Sequence, residues 1–273
     1  MEELTVALSP CPNDTFTFGP LVLGWVKIPV RLRWVFEDIE TLNRLALRGE
    51  IPLIKISYAL FPEVWERYQA LPVGAALGRG CGPLLVASEP LSPEDLSRVE
   101  VWLPGEHTTA HLLFRLAFPE ARHRRFVLYH EILPALISGK ARAGVLIHEE
   151  RFVYEKRGLY LVRDLGAWWE EETGLPLPLG GPVVRRDLPE GLKSALTRAV
   201  RESLRLARER FPELLPFIRS YAQDLSREVI STHISTYVNE YTEDLGEEGQ
   251  RALQELVHRA GAKGARDLVW GER

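Results

Sequence analysis

The chain has 273 residues, a formal net charge of −4, and a composition 45% hydrophobic and 26% charged. That is enough apolar material for a sizeable core in one large or two moderate domains. A pI near 6.0 argues against a nucleic-acid partner, which would select a basic face, and no run of about 18 apolar residues offers a membrane span.

Leu4–Leu8 reads as a first strand, and Ser9-Pro10-Cys11-Pro12-Asn13-Asp14-Thr15 as a loop whose prolines stop it. Asn13 or Asp14 is placed to cap a helix running through Leu23. A second strand, Val30–Val35, leads to a helix over Asp38–Leu47 with Ile39, Leu42, Leu45 and Ala46 on one face. A third strand, Ile51–Ile56, ends at Ser57, read as the cap of a helix from Tyr58 to Trp65. Strands over Ala70–Ala75 and Pro83–Ala87 flank the turn Gly78-Arg79-Gly80-Cys81-Gly82.

The alternation then restarts. A strand over Val99–Leu103 passes through Pro104-Gly105-Glu106-His107-Thr108-Thr109 into a helix reaching Leu116. Phe126–Tyr129 reads as strand and Ile132–Ser138 as helix. The strand over Ala143–Ile147 stops on His148, followed by the acidic pair Glu149 and Glu150. Leu159–Val162 is a further strand and Leu165–Glu172 a helix. Pro182–Val184 returns as a strand to the first sheet, and helices follow over 190–210, 212–222, 227–238 and 247–260. The order implies an α/β chain of two lobes with a ligand crevice between them. Residues 1–90 with 180–273 make the large, discontinuous lobe, and 91–179 an inserted small one.

Glu2 and Glu3 follow Met1, with no basic or apolar leader, so no secretory signal is expected. Cys11 and Cys81 stand alone, without metal-ligand spacing, which fits a reduced cytoplasm and no metal. The short basic run Arg122-His123-Arg124-Arg125 is read as a solvated face. Abundant arginine and proline lean towards a thermophile.

Four loops leave strands and enter helices, at Ser9–Asp14, Lys55–Ser57, Glu106–Ala110 and from His148 onward. In a parallel sheet such loops gather at the carboxyl edge, where ligands bind. His148 is either a strand-closing histidine or a general base titrating near neutrality. Thr108 and Thr109 either cap a helix or hold an anion at its positive end. Lys55, between Ile54 and Ile56, faces a polar cleft or reaches water past an apolar stem. Asn13 and Asp14 are caps or ligands; Asp38 and Asn43 are weaker candidates. Cys81 has no evident base; His111 and His130 read as structural or surface residues, and His233 as structural. Asn239 is placed to pin the helical tail to a sheet end.

Ser9-Pro10-Cys11-Pro12-Asn13-Asp14-Thr15-Phe16, Lys55-Ile56-Ser57, Thr108-Thr109-Ala110, Gly144-Val145-Leu146-Ile147-His148-Glu149, Leu179-Gly180-Gly181 and Tyr237-Val238-Asn239 carry a resemblance. Their order resembles the 1,4-dihydroxy-6-naphthoate synthases of the futalosine route to menaquinone, over essentially the whole chain. The resemblance implies a two-lobed fold like type 2 periplasmic binding proteins with a helical C-terminal tail, here cytoplasmic and catalytic. It implies a lyase that cleaves cyclic dehypoxanthine futalosine, a small carboxylate, without a cofactor. His148 would then be the base, with Asn13, Asp14, Lys55, Ile56, Ser57, Thr108, Thr109 and Ala110 around the substrate. The competing class is a non-catalytic binding protein for a small acid. Whether the tail pairs two copies into a homodimer is left open.

Overall fold

The computed structural model describes residues 3–222 and 226–271. The chain divides into two units, Met1–Gly78 with Pro178–Arg273, and Arg79–Leu177. In the first, β1 (Glu3–Leu8) runs into α1 (Pro12–Val22), then β2 (Arg31–Phe36), α2 (Ile39–Arg48) and β3 (Leu53–Ser57). The three strands are parallel, with β1 in the middle. Pro12 opens α1 because its fixed φ suits the first helical position. Cys11 is therefore the N-cap, and its side chain does not cap the helix. Asn13 and Asp14 thus lie inside the first turn and do not cap it, contrary to expectation. Asp38 does cap α2, accepting from the N–H groups of Glu40 and Thr41.

The expected helix after Ser57 is broken into a 3-10 turn, Tyr58–Leu60, and the short α3 (Phe61–Val64). Ser57 makes no capping bond there. The single strand expected over residues 70–75 is instead two, β4 (Tyr68–Ala70) and β5 (Ala76–Gly78). Pro72 has no N–H to pair, and Gly74 turns the chain at φ 84°.

The second unit holds β6 (Leu84–Ala87), β7 (Val101–Leu103), α4 (Thr109–Ala117), β8 (Arg124–Phe126) and α5 (Tyr129–Ile137). These lead to β9 (Ala143–Leu146), β10 (Tyr160–Asp164) and α6 (Leu165–Thr173). The sheet order is β10-β6-β9-β7-β8, with β7 parallel to both β8 and β9. β6 belongs here, antiparallel to β9 and β10. The strand-helix order alone places residues 79–90 in the first unit. An apolar strand does not declare its partner, and the pairing of β6 with β9 is non-local. β8 also starts earlier than expected, because Arg124 and Arg125 are strand residues. Arg125 stacks on the Trp102 ring at 4.6 Å, whereas Arg122 stays at the surface, paired with Glu120.

The chain returns through β11 (Leu177–Arg185), nine residues long and antiparallel to β3 and β4, giving the order β2-β1-β3-β11-β4 with β5 also on β11. The tail is α7 (Glu190–Glu209), α8 (Phe211–Tyr221), α9 (Arg227–Tyr237), α10 (Glu240–Glu243) and α11 (Gly246–Arg259). Leu196, Ala199 and Val200 of α7 join Val6, Leu8, Phe18 and Val184 in the first unit's core. Asn239 donates to the Leu77 carbonyl at 2.8 Å, tying the tail to β5 as its position suggested. Among the described residues no helix is long and apolar enough to cross a membrane.

Two glycines of β11 are required by close approach. A β-carbon on Gly180 would overlap the Ile56 carbonyl. One on Gly181 would overlap Tyr58 Oη and lie 2.8 Å from Tyr58 Cζ. Tyr58 is wholly buried, and its hydroxyl finds no partner among the described residues. Gly181→Ala is therefore expected to overpack this site and destabilise the chain by about 1–3 kcal/mol in denaturant unfolding. Tyr58→Phe in that background recovers part of the loss. An unchanged unfolding midpoint for Gly181→Ala would show that the ring yields freely.

Candidate active site

In the first unit the carboxyl ends of β1 and β3 bring a buried polar cluster together. Lys55 is 5% exposed and Asp14 1%; the ammonium donates to Asp14 Oδ1. Ser9 Oγ donates to Asp14 Oδ2 at 2.6 Å, and Asn13 Nδ2 to Asp14 Oδ1 at 2.9 Å. The lysine therefore faces neither bare apolar surface nor water; its charge is matched inside the unit. Ile56, next along β3, is fully buried and seats the strand in the core. Ser57 is held by Asn43 of α2: its N–H donates to Asn43 Oδ1 at 2.8 Å, and its hydroxyl accepts from Asn43 Nδ2 at 3.0 Å.

In the second unit β7, β8 and β9 run parallel, so the loops that follow them share one edge. These carry Thr108 and Thr109, Tyr129, and His148. Thr108 caps α4, accepting from the His111 N–H, and its hydroxyl donates to the Gly105 carbonyl at 2.9 Å. Both capacities of that hydroxyl serve the turn. Thr109 and Ala110 open the helix, each 3% exposed, where the first N–H groups and the positive end of the dipole lie. His111, next along, puts Nδ1 2.7 Å from the Glu106 carbonyl, which fits its structural reading.

His148 has φ 56°, in the left-handed region a side chain seldom adopts. Its ring meets the Tyr129 ring edge-on, with centroids 4.8 Å apart. Glu149 and Glu150 follow at 7% and 9% exposure. Burial, then the Glu149 charge, pushes the Glu150 carboxyl up to about 8. The adjacent Arg151 does not relieve it; its guanidinium donates to the Gly80 carbonyl at 2.8 Å and lies 3.8 Å from Asp164. Burial also raises the Cys81 thiol to about 12, which leaves it unreactive at neutral pH. Among the described residues no three His, Cys, Asp or Glu side chains gather as a metal-ligand set.

Three residues have more to do here than the sequence indicated. Asn43 sits among apolar neighbours in mid-helix, fully buried; an amide in such a stripe is the signal that marked it. Ser9 was visible only as part of a motif. His233, read as structural, reaches across 220 positions to put Nε2 3.0 Å from Asn13 Oδ1. Nothing local in the sequence pointed to that partner.

Residues 4–262 match the family model described as menaquinone biosynthesis. A 1,4-dihydroxy-6-naphthoate synthase of Thermus thermophilus is 52% identical, the match covering 97% of this chain and 96% of that protein. One of Streptomyces coelicolor is 43% identical over 96% of this chain and 94% of its own length. A solved protein structure from Archaeoglobus fulgidus superposes with a TM-score of 0.90 at 36% identity, covering 96% of this chain and 98% of that one. The alkanesulfonate-binding protein of Xanthomonas axonopodis superposes at 0.71 with 12% identity and 98% of each chain covered. The fold is thus that of the periplasmic binding proteins. With the family model spanning nearly its whole length and two curated synthases so close to it, the chain belongs to the menaquinone-biosynthesis family.

Proposed function

We propose that this enzyme of menaquinone biosynthesis acts as a 1,4-dihydroxy-6-naphthoate synthase, a carbon-carbon lyase, with His148 as its general base. The observation that carries the role of His148 is its backbone. A histidine held at φ 56° costs folding free energy of the order of 1 kcal/mol, and such strain collects where a side chain must be aimed. The Tyr129 ring against it limits the imidazole's freedom. The relatives' reaction aromatises a carbocycle, so a proton must leave a ring carbon as a carbon fragment is expelled. A neutral imidazole near its own pKa is suited to take that proton.

The other residues bind and orient in this reading. Lys55 and Ser57 donate to one polar group of the substrate, and the start of α4, at Thr109 and Ala110, holds another. Asp14 and Asn13 set the lysine, and Thr108 shapes the turn. The substrate is a small carboxylate, no cofactor takes part, and the protein works in the cytoplasm, in keeping with two buried cysteines that are not joined in a disulfide. Glu150 stays largely protonated at neutral pH, so the acidic pair beside His148 carries closer to one negative charge than two.

Purified protein incubated with cyclic dehypoxanthine futalosine is expected to give 1,4-dihydroxy-6-naphthoate, followed by chromatography. His148→Ala lowers kcat by roughly 10²–10⁴-fold. His148→Gly, which relieves the φ, loses activity equally while unfolding no earlier than wild type. Turnover near wild type in either variant moves the base elsewhere, and absence of product from wild type removes the synthase reading.

The raised Glu150 makes a separate prediction. Between about pH 4.5 and 8 the unfolded chain releases this proton while the folded chain keeps it, so stability falls as pH rises. The slope is about 1.4 kcal/mol per pH unit within that window. Glu150→Gln abolishes this term, so its advantage in melting temperature over wild type grows from pH 5 to pH 8. An advantage constant with pH would mean that Glu150 ionises normally.

A further inference from the structure

We propose that His233, on the tail helix α9, is a positioning residue that fixes the Lys55 ammonium through Asn13 and Asp14. The inference rests on the reading above in which Lys55 meets the substrate, and it adds a residue that neither the motifs nor the relatives' names assign.

The chain of contacts has one consistent polarity. Asp14 receives the Lys55 ammonium and the Ser9 hydroxyl, so its carboxylate acts as acceptor. Asn13 must then turn its amide nitrogen to Asp14, at 2.9 Å. The reverse orientation would set a carbonyl oxygen against a carboxylate. Asn13 Oδ1 is thereby directed away from Asp14 and towards His233 Nε2 at 3.0 Å. For that contact to be a hydrogen bond, the histidine carries its proton on Nε2. The positive charge on β3 thus determines an amide orientation on α1 and a tautomer on α9.

Every member is buried: Lys55 5% exposed, Asp14 1%, Asn13 7% and His233 0%. Water is a poor substitute for a missing donor there, and a buried amide without its partner reorients. The imidazole is itself held, packed on the Tyr237 ring one turn along at 4.6 Å between centroids. With the Nε2 donor gone, Asn13 Oδ1 loses its anchor, and the side chain, still bonded to Asp14 through Nδ2, shifts. That displaces the carboxylate, and the ammonium moves with it.

The experiment observes Lys55 directly. The side-chain ammonium resonance of Lys55 in the full chain is assigned by its disappearance in Lys55→Met, then compared across His233→Leu and His233→Gln. The leucine variant is expected to shift the resonance and speed its hydrogen exchange about tenfold, the loss expected for one bond in a charged network. The glutamine variant, whose amide can donate from a similar place, restores both. KM for cyclic dehypoxanthine futalosine rises about tenfold in the leucine variant, with kcat changed less. His233→Leu added to Asn13→Ala produces no further shift, because the path is already cut. Should the leucine variant fail to fold, Asn13→Ala alone carries the test, and an unmoved Lys55 resonance in it overturns the proposal. A resonance unmoved in folded His233→Leu does the same. If the resonance moves but KM stays at wild type in both His233→Leu and Lys55→Met, the positioning stands and the substrate role of Lys55 falls.

Discussion

An ammonium inside a buried strand must meet an opposite charge or lose its own. In this chain Lys55 meets Asp14, and much of the first unit's local geometry follows from that pair. Taking two ions from water costs several kcal/mol each, and attraction compensates only when the remaining donors and acceptors are satisfied. Ser9 and Asn13 each add a donor to the carboxylate, and His233 Nε2 lies against Asn13 Oδ1. The requirement explains why α1 begins where it does. Pro12 at the first helical position brings Asp14 to the third, at the β3 side of the turn. It also gives the helical tail a chemical role beyond closing the core, since α9 supplies the last donor.

The second unit solves a different problem with the same architecture. Parallel β7, β8 and β9 deliver three strand-to-helix loops to one edge. Glu150 keeps its proton because burial and Glu149 both oppose ionisation. A carboxyl held neutral and an imidazole held at an unusual φ lie within three consecutive residues. Strain and desolvation of this kind persist only where the surrounding fold over-determines them, and the buried β9 with Ala143–Leu146 in the core provides that restraint.

The strand-helix alternation was legible because periodicity and punctuation are local. Asp38 and Thr108 mark helix starts, and the runs at Leu4–Leu8 and Ala143–Leu146 are apolar enough to be strands in any context. Pairing was not legible. β6 reads as a good strand yet says nothing of which sheet receives it, and β4 and β5 merged into one because the break at Pro72 and Gly74 falls inside an apolar stretch. For the site, motif residues such as Lys55, Ser57, Thr109 and His148 announced themselves by chemical oddity: a charge in a strand, hydroxyls at a helix start, a histidine at a strand end. Their partners did not. Asn43 reaches Ser57 across 14 positions and His233 reaches Asn13 across 220. Such contacts are properties of topology.

The likeness to an alkanesulfonate-binding protein at 12% identity sets the fold apart from the chemistry. At that identity the likeness speaks for the arrangement of strands and helices alone. The histidine in a left-handed conformation and the two buried carboxyls beside it each cost folding free energy that the surrounding fold must offset. Family membership identifies the pathway. The strained histidine, the carboxyl held neutral and the matched ion pair belong to this chain's own side chains and are not dictated by the shared fold.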